Sequence, residues 1–254
     1  MAQPQRIALV TGGSRGLGHN MALTLADKGM DVIVTYNSQR DAANTLVTEI
    51  EKRGRKAAAL QLDVSDSTLF GRFAGDVRAT LVRHWNREHF DCLVNNAGVG
   101  VYVPFAQTTE EQFDSMMKVH LKGVFFLTQH LLPVIADGGR IINISSGLTR
   151  FTFSGYSAYA VMKGAIEVLT HYLAKELGPR GISVNTVAPG AIETDFGGGA
   201  VRDNAELNRI IASMTALGRV GLPEDIGGVV AGLLSPESGW VNAQRIEVSG
   251  GMSI

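Results

Sequence analysis

The sequence predicts a doubly wound α/β domain built around one parallel sheet. Three observations predict it: β-like runs recur along the chain, most stretches between them are long enough for a helix, and unusual loops rich in Gly or Asn follow several runs. Crossover helices cover a parallel sheet on both faces, so these runs should be apolar and buried. With 254 residues, 45% of them hydrophobic, the chain can bury a full core, and no repeat or low-complexity linker divides it. One domain over residues 1–254 is expected.

In order, the runs are IALV from residue 7, DVIVTY from 31, AALQLDV from 58, DCLVNN from 91, RIINIS from 140, ISVNTV from 182 and RIEVS from 245. Ligands of open α/β sheets bind beyond the carboxyl ends of the strands. The loops TGGSRGLG, NNAGVG, SSGLTR and APGAIETD each follow a run, so they should converge on one edge.

Composition narrows the ligand. The 23 basic and 24 acidic side chains nearly cancel, which leaves no broad field for nucleic acid or an anionic membrane. A small-molecule ligand is expected. Cys92 is the only cysteine, so neither an internal disulfide framework nor a zinc site of several thiolates can form, and no metal is expected. The opening MAQPQR leads into an apolar run too short for a signal peptide, and no segment approaches the ~20 apolar residues of a membrane span. A soluble, cytoplasmic protein is expected.

The loop after the first run holds Gly12, Gly16 and Gly18 and opens the helix-like HNMALTLADKG. Glycines there let backbone approach a pyrophosphate at a helix N-terminus, with Ser14, Arg15 and Leu17 of the same loop beside it. The spacing is GxxxGxG rather than GxGxxG, and an ordinary strand-to-helix turn is the alternative.

Tyr159 and Lys163 stand four apart in SAYAVMKGAIEVLTHYLAKEL, so on a helix they share a face. A free phenol titrates near ~10. An ammonium ~4 Å away, at an effective dielectric constant of ~20, supplies about 4 kcal/mol before desolvation costs. Lys163 is therefore expected to make Tyr159 a usable acid/base near neutrality, although a surface pair on an amphipathic helix has the same spacing.

Taken together, TGxxxGxG, NNAG, a strand-end Ser, YxxxK and PG occur in the order and spacing of the short-chain dehydrogenase/reductase family, which the chain resembles over nearly its whole length. The resemblance implies a Rossmann-like single domain that moves hydride between a nicotinamide cofactor and a carbonyl carbon. It makes Tyr159 the acid/base and Lys163 its partner, binding the nicotinamide ribose. Ser146, thirteen residues before Tyr159, becomes the hydroxyl that polarises the substrate oxygen. Side chains alternate along a strand, so Ser145 should face away. Tyr156 lacks a Lys four residues on and is expected to line the pocket.

Further site residues follow from the resemblance. Asn95, Asn96, Ala97 and Gly98 match NNAG, where an Asn amide braces the sheet and small residues admit cofactor. Asp63 and Val64 match a pair that contacts adenine, although Asp63 equally suits the start of a turn. Pro189, Gly190, Ile192 and Thr194 match the clamp on the nicotinamide carboxamide, followed by a substrate loop over about 190–217 in which Gly197, Gly198 and Gly199 suit a lid. His120 stands where family members usually carry Asn, whose backbone holds a water of the proton path. It either joins that relay or only fills space. Phe151, Phe153 and Tyr156 lie between Ser146 and Tyr159, where they line an apolar substrate pocket or pack a helix edge.

NADP(H) is the expected cofactor. The second run ends Thr35, Tyr36, Asn37, Ser38 with no acid before Asp41, whereas NAD enzymes of this fold commonly hold the ribose 2′-OH with a carboxylate there. Arg15 could bond a 2′-phosphate.

GISVNTVAPGAIETDF is similar to the corresponding stretch of 3-oxoacyl-[acyl-carrier-protein] reductases. An acidic carrier protein needs a basic rim, yet LLPVIADGG presents Asp137 and only Arg180 offers positive charge. A free ketone or aldehyde therefore competes with a 3-oxoacyl substrate, and a non-catalytic NADP(H)-binding sensor or scaffold is the rival of another class. The resemblance also implies a homotetramer, with helices around 110–135 and 157–178 at one interface.

Overall fold

The computed structural model describes residues 5–254. Its strands are β1 (Ile7–Val10), β2 (Asp31–Tyr36), β3 (Ala57–Gln61), β4 (Phe90–Asn95), β5 (Ile135–Ile144), β6 (Ser183–Pro189) and β7 (Arg245–Val248). They form one sheet in the order β3-β2-β1-β4-β5-β6-β7, with every pair parallel. Its helices are α1 (Gly16–Asp27), α2 (Arg40–Lys52), α3 (Phe70–Trp85), α4 (Glu110–Met117), α5 (Gly123–Leu131), α6 (Ser157–Leu177), α7 (Ala200–Asp203), α8 (Ala205–Ser213) and α9 (Pro223–Leu234).

The apolar runs are strands because both of their faces are covered. In β1 and β2, Ala8, Val10, Val32 and Val34 pack with Met21, Leu25, Ile226 and Val230 of α1 and α9. The alternate residues Ile7, Leu9 and Ile33 pack on the opposite face with Phe70 and Phe73 of α3 and Leu127 of α5. This two-sided burial removes the polar face that a half-exposed strand would show.

Strand order reverses between β2 and β4 on either side of β1, which opens a crevice at their carboxyl ends. The loops after β1, β4, β5 and β6 meet there.

The stretch expected as one helix around 110–135 is divided. A capping box starts α4, with Thr109 N donating to Gln112 Oε1 at 3.0 Å and Gln112 N to Thr109 Oγ1 at 3.3 Å. Residues Lys118–Lys122 then widen into a π-helical turn before α5, and the chain is already strand at Ile135. Gly123 ends the wide turn because a Cβ there would lie 2.3 Å from Val64 O and 2.9 Å from Lys118 O. The extra residue of a π turn rotates its side chains relative to a plain helix, and His120 lies within it.

Candidate active site

The loop after β1 is built for close approach. Gly12 has φ +67°, and a Cβ on it would lie 2.9 Å from Ala97 Cα. A Cβ on Gly18 would meet Gly12 O at 2.2 Å, so α1 packs directly under the loop. The loops after β1 and β4 are stapled together by Thr11, whose Oγ1 accepts from Asn96 N at 2.9 Å and Ala97 N at 3.0 Å. Asn96 Nδ2 returns a bond to Thr11 O at 2.8 Å. The bracing amide is Asn95, with Nδ2 donating to Asn143 Oδ1 at 2.8 Å and Thr128 Oγ1 at 3.0 Å.

These features fit a dinucleotide. The N-terminus of α1 opens at Gly16, and Thr194 faces it across the cleft, its Cβ 3.6 Å from where a Gly16 Cβ would be. A cavity of about 350 Å³ beside α1 is lined by Gly16, His19, Asn20, Thr194, Arg202 and Glu224, and Ser146, Tyr159 and Lys163 do not line it. Arg15, Asn37 and Arg40 are exposed beyond the ends of β1 and β2, and Arg40 Nε donates to Tyr36 Oη at 2.9 Å. Pro189 and Gly190 sit at the β6 exit, with Gly190 N bonded to Val248 O at 3.0 Å.

Some expected contacts are spent elsewhere. Ile192 is buried in the core, and half-buried Leu17 packs against that core. Asp63 Oδ1 accepts from Ser65 N at 2.8 Å and Ser65 Oγ at 2.7 Å, which realises the turn reading of that residue. Val64 is half-buried and belongs to the core beneath the turn.

Ser146, just beyond the end of β5, and Tyr159 and Lys163, on α6, are buried. Ser146 lies near the Tyr159 phenol and favours its ionised form, and Ser146 Oγ accepts from Leu148 N at 3.2 Å. Ser145 points the other way, donating to Glu167 Oε1 at 2.7 Å, as strand alternation requires. Lys163 Nζ donates to Ile144 O at 2.7 Å and lies 5.6 Å from the centre of the Tyr159 ring.

Burial opposes the expected depression of the Tyr159 pKa. Burial pushes the phenol above its ordinary value and outweighs the lowering by Ser146, while burial also pulls Lys163 down to about 7. Tyr159 therefore carries its proton at neutral pH.

His120 is 1% exposed and stands with its ring centre 5.0 Å from that of Tyr159, the planes at 88°. Its Nε2 lies 2.7 Å from Val99 O and 3.4 Å from Val99 N; the shorter contact to the carbonyl favours a proton on Nε2, and Nδ1 is buried without a partner among the described residues. Burial first, then the Lys163 charge, lower its pKa to about 3. A relay through imidazole needs both nitrogens on the proton path. With Nε2 ending on a peptide carbonyl, passage through the ring is not supported. A Cβ on Gly98 would lie 2.7 Å from His120 Cε1, so the ring is wedged between Gly98 and Tyr159.

A family model described as enoyl-(acyl carrier protein) reductase matches residues 12–253. The chain belongs to the short-chain dehydrogenase/reductase family. It is 36% identical over 257 residues to the hydroxynaphthalene reductase-like protein Arp2 of Metarhizium brunneum, covering 97% of this chain and 94% of that protein. It is also similar to the promiscuous reductase LugOII, which catalyses keto-reduction at C1 during lugdunomycin biosynthesis: TM-score 0.93, 38% identity, 98% of each chain. The landomycin C-6 ketoreductase LanV with bound NADP and rabelomycin superposes with TM-score 0.89 and 36% identity, covering 98% of this chain and 96% of that one. As a member of this family the chain is an oxidoreductase.

Beside this short-chain reductase's Tyr159 lie aromatic residues that the sequence did not single out. Phe196 packs on Tyr159 with ring centres 5.5 Å apart and fills the space of a Cβ at Gly100, whose position would be 2.7 Å from the ring. Phe196 N donates to Thr194 Oγ1 at 3.2 Å, and Gly197, Gly198 and Gly199 follow with φ of +62°, +75° and +80°. Tyr102 fits against Gly155 and meets Tyr156 edge-on at 5.4 Å. Of the three residues expected at the pocket, Tyr156 borders Tyr159. Phe151 packs with Ile211, Val220 and Met252, which favours its packing role, and Phe153 meets it edge-on at 6.1 Å.

Arg180 donates to Asp137 Oδ1 at 2.8 Å, Leu132 O at 2.9 Å and Ile135 O at 2.6 Å. It braces a turn and leaves little charge for a carrier protein. Among the described residues no group of three or more His, Cys, Asp or Glu is placed to hold a metal, and no helix is long and apolar enough to cross a membrane.

Proposed function

We propose that this enzyme uses NADPH to reduce a ketone on a planar, multi-ring aromatic small molecule. The observation that carries the reading is the shared burial of Ser146, Tyr159 and Lys163, with Lys163 Nζ fixed on Ile144 O at 2.7 Å and burial keeping the proton on the phenol. Reduction consumes a proton at the carbonyl oxygen, and a Tyr159 kept protonated at neutral pH is ready to give it. NADPH, when bound, supplies the hydride.

Ser146 Oγ and Tyr159 Oη would both donate to the substrate oxygen, fixing the carbonyl and stabilising the charge that develops on it. Lys163, anchored on Ile144 O, would hold the nicotinamide ribose and restore the proton. Thr194 and Gly190 would seat the carboxamide and the Gly12–Gly18 loop the pyrophosphate, while Arg15 and Arg40 would bond the 2′-phosphate. The aromatic ring set of Tyr102, Tyr156 and Phe196 supports an aromatic substrate, as does the rabelomycin bound to LanV.

A homotetramer is part of the reading. Exposed Phe113, Phe125 and Phe126 on α4 and α5, with Val161, Val168 and Tyr172 on α6, give these helices the apolar face that a subunit contact needs. A cytoplasmic setting suits the single, buried, free Cys92.

Turnover of NADPH and NADH against a panel of fused-ring, monocyclic and aliphatic ketones tests the proposal. The expected result is alcohol formation, fastest with NADPH and fused-ring ketones. Tight NADPH binding without turnover on any ketone would favour a sensor instead.

A further inference from the structure

Glu167 follows Tyr159 and Lys163 on α6 at steps of four residues, so it shares their helix face one turn farther from the cofactor cleft. Its Oε1 receives three donors: Ser145 Oγ at 2.7 Å, Thr149 Oγ1 at 2.7 Å and Arg245 Nε at 2.8 Å. Ser145 and Thr149 bracket the short turn that carries Ser146. One carboxylate therefore grips both ends of that turn.

Arg245 reinforces the grip, donating to Thr149 Oγ1 at 2.9 Å and reaching the Ser146 carbonyl at 3.4 Å. Arg245 is itself held by Glu247, which pairs with Arg150, and Arg150 donates to the carbonyls of Met252 and Ser253 near the C-terminus. The carboxylate is only 18% exposed, so water competes weakly for these charge-assisted bonds. Ser146 itself makes few bonds that would fix its hydroxyl direction. Its Oγ accepts one bond, from Leu148 N at a long 3.2 Å.

We propose that Glu167 is a positioning residue for Ser146: by fixing Ser145 and Thr149 it keeps the Ser146 hydroxyl aimed at the point where Tyr159 Oη meets the substrate oxygen. The inference rests on Ser146 acting on that oxygen, as in the reading above. Misplacing a reacting group by 1 Å can cost about a hundredfold in rate. Glu167 touches neither substrate nor cofactor, so its effect must pass through Ser146.

A double-mutant cycle under single-turnover conditions tests this. Glu167→Ala is expected to lower the rate about ten- to hundredfold with NADPH affinity nearly unchanged. Glu167→Gln, which keeps one acceptor oxygen, should recover part of that loss. In a Ser146→Ala background the Glu167→Ala loss should shrink to less than about twofold, because coupled residues are non-additive. An equal loss in both backgrounds, or no loss in the single variant, overturns the proposal. If Glu167→Ala does not fold, Glu167→Gln completes the same cycle with the same criteria. Ser146→Ala alone reports on the catalytic reading. If it leaves the rate intact, any loss from Glu167→Ala acts by another route and this proposal falls as well.

Discussion

The His120 imidazole stands edge-on to the Tyr159 ring while its Nε2 is held by Val99 O at 2.7 Å. The arrangement makes His120 a neutral wedge between the loop after β4 and the catalytic phenol. Its pKa of about 3 keeps it uncharged across the working range. His120→Asn should therefore leave the pH profile of kcat unmoved, whereas His120→Ala should cost about 2 kcal/mol of stability through the cavity it leaves. A profile displaced by His120→Asn, measured where proton transfer limits the rate, would restore the relay role.

Lys163 gives the expected pH dependence. Its pKa is lowered to about 7 by burial, so the ammonium is present below that pH and lost as pH rises through it. In the reductive direction kcat/KM, which reports the free enzyme, should decline above about 7. A kcat/KM that climbs steadily through this range would show that the neutral amine is the active form.

Phe196 is expected to set selectivity. Its ring covers Tyr159 and is 42% exposed, and the three left-handed glycines after it let it swing. Phe196→Ala should lower kcat/KM for fused-ring ketones about tenfold, consistent with ~1.4 kcal/mol of lost stacking, and affect small aliphatic ketones less. Gly100→Ala, which fills the space of the ring, should shift the same ratio. Equal effects on both substrate classes would remove Phe196 from substrate recognition.

Arg15 and Arg40 are expected to hold the 2′-phosphate together. Removing one charge-assisted partner costs about 1.5–3 kcal/mol, so each Arg→Ala variant should weaken NADPH about tenfold or more and leave NADH almost unchanged. Parallel binding titrations would decide, and equal weakening of both cofactors would place these arginines elsewhere.

The sequence revealed the strands because burial on both faces makes them continuous apolar runs, as in IALV and DVIVTY. The spacing of thirteen residues before Tyr159 pointed to Ser146, and strand alternation then turned Ser145 away, where it bonds Glu167. The break at Lys118–Lys122 was hidden because a π turn leaves no composition mark, and only Gly123 stands at its end. Phe196 was hidden because its role depends on Gly100 and Tyr159, distant in the chain. Arg40 could have been found as a cation just beyond the end of β2. The raising of the Tyr159 pKa was hidden because burial leaves no trace in the YxxxK spacing.

Turnover of Tyr159→Phe beside Tyr156→Phe, with NADPH affinity measured on the same preparations, tests the central claim most directly. Removing the Tyr159 hydroxyl deletes the proton donor alone, so NADPH should bind as before while kcat falls about 10²- to 10⁴-fold. Tyr156→Phe should keep most of its activity. A Tyr159→Phe enzyme that still reduces ketones at the normal rate, or a larger loss from Tyr156→Phe, would contradict the assignment of Tyr159 as proton donor.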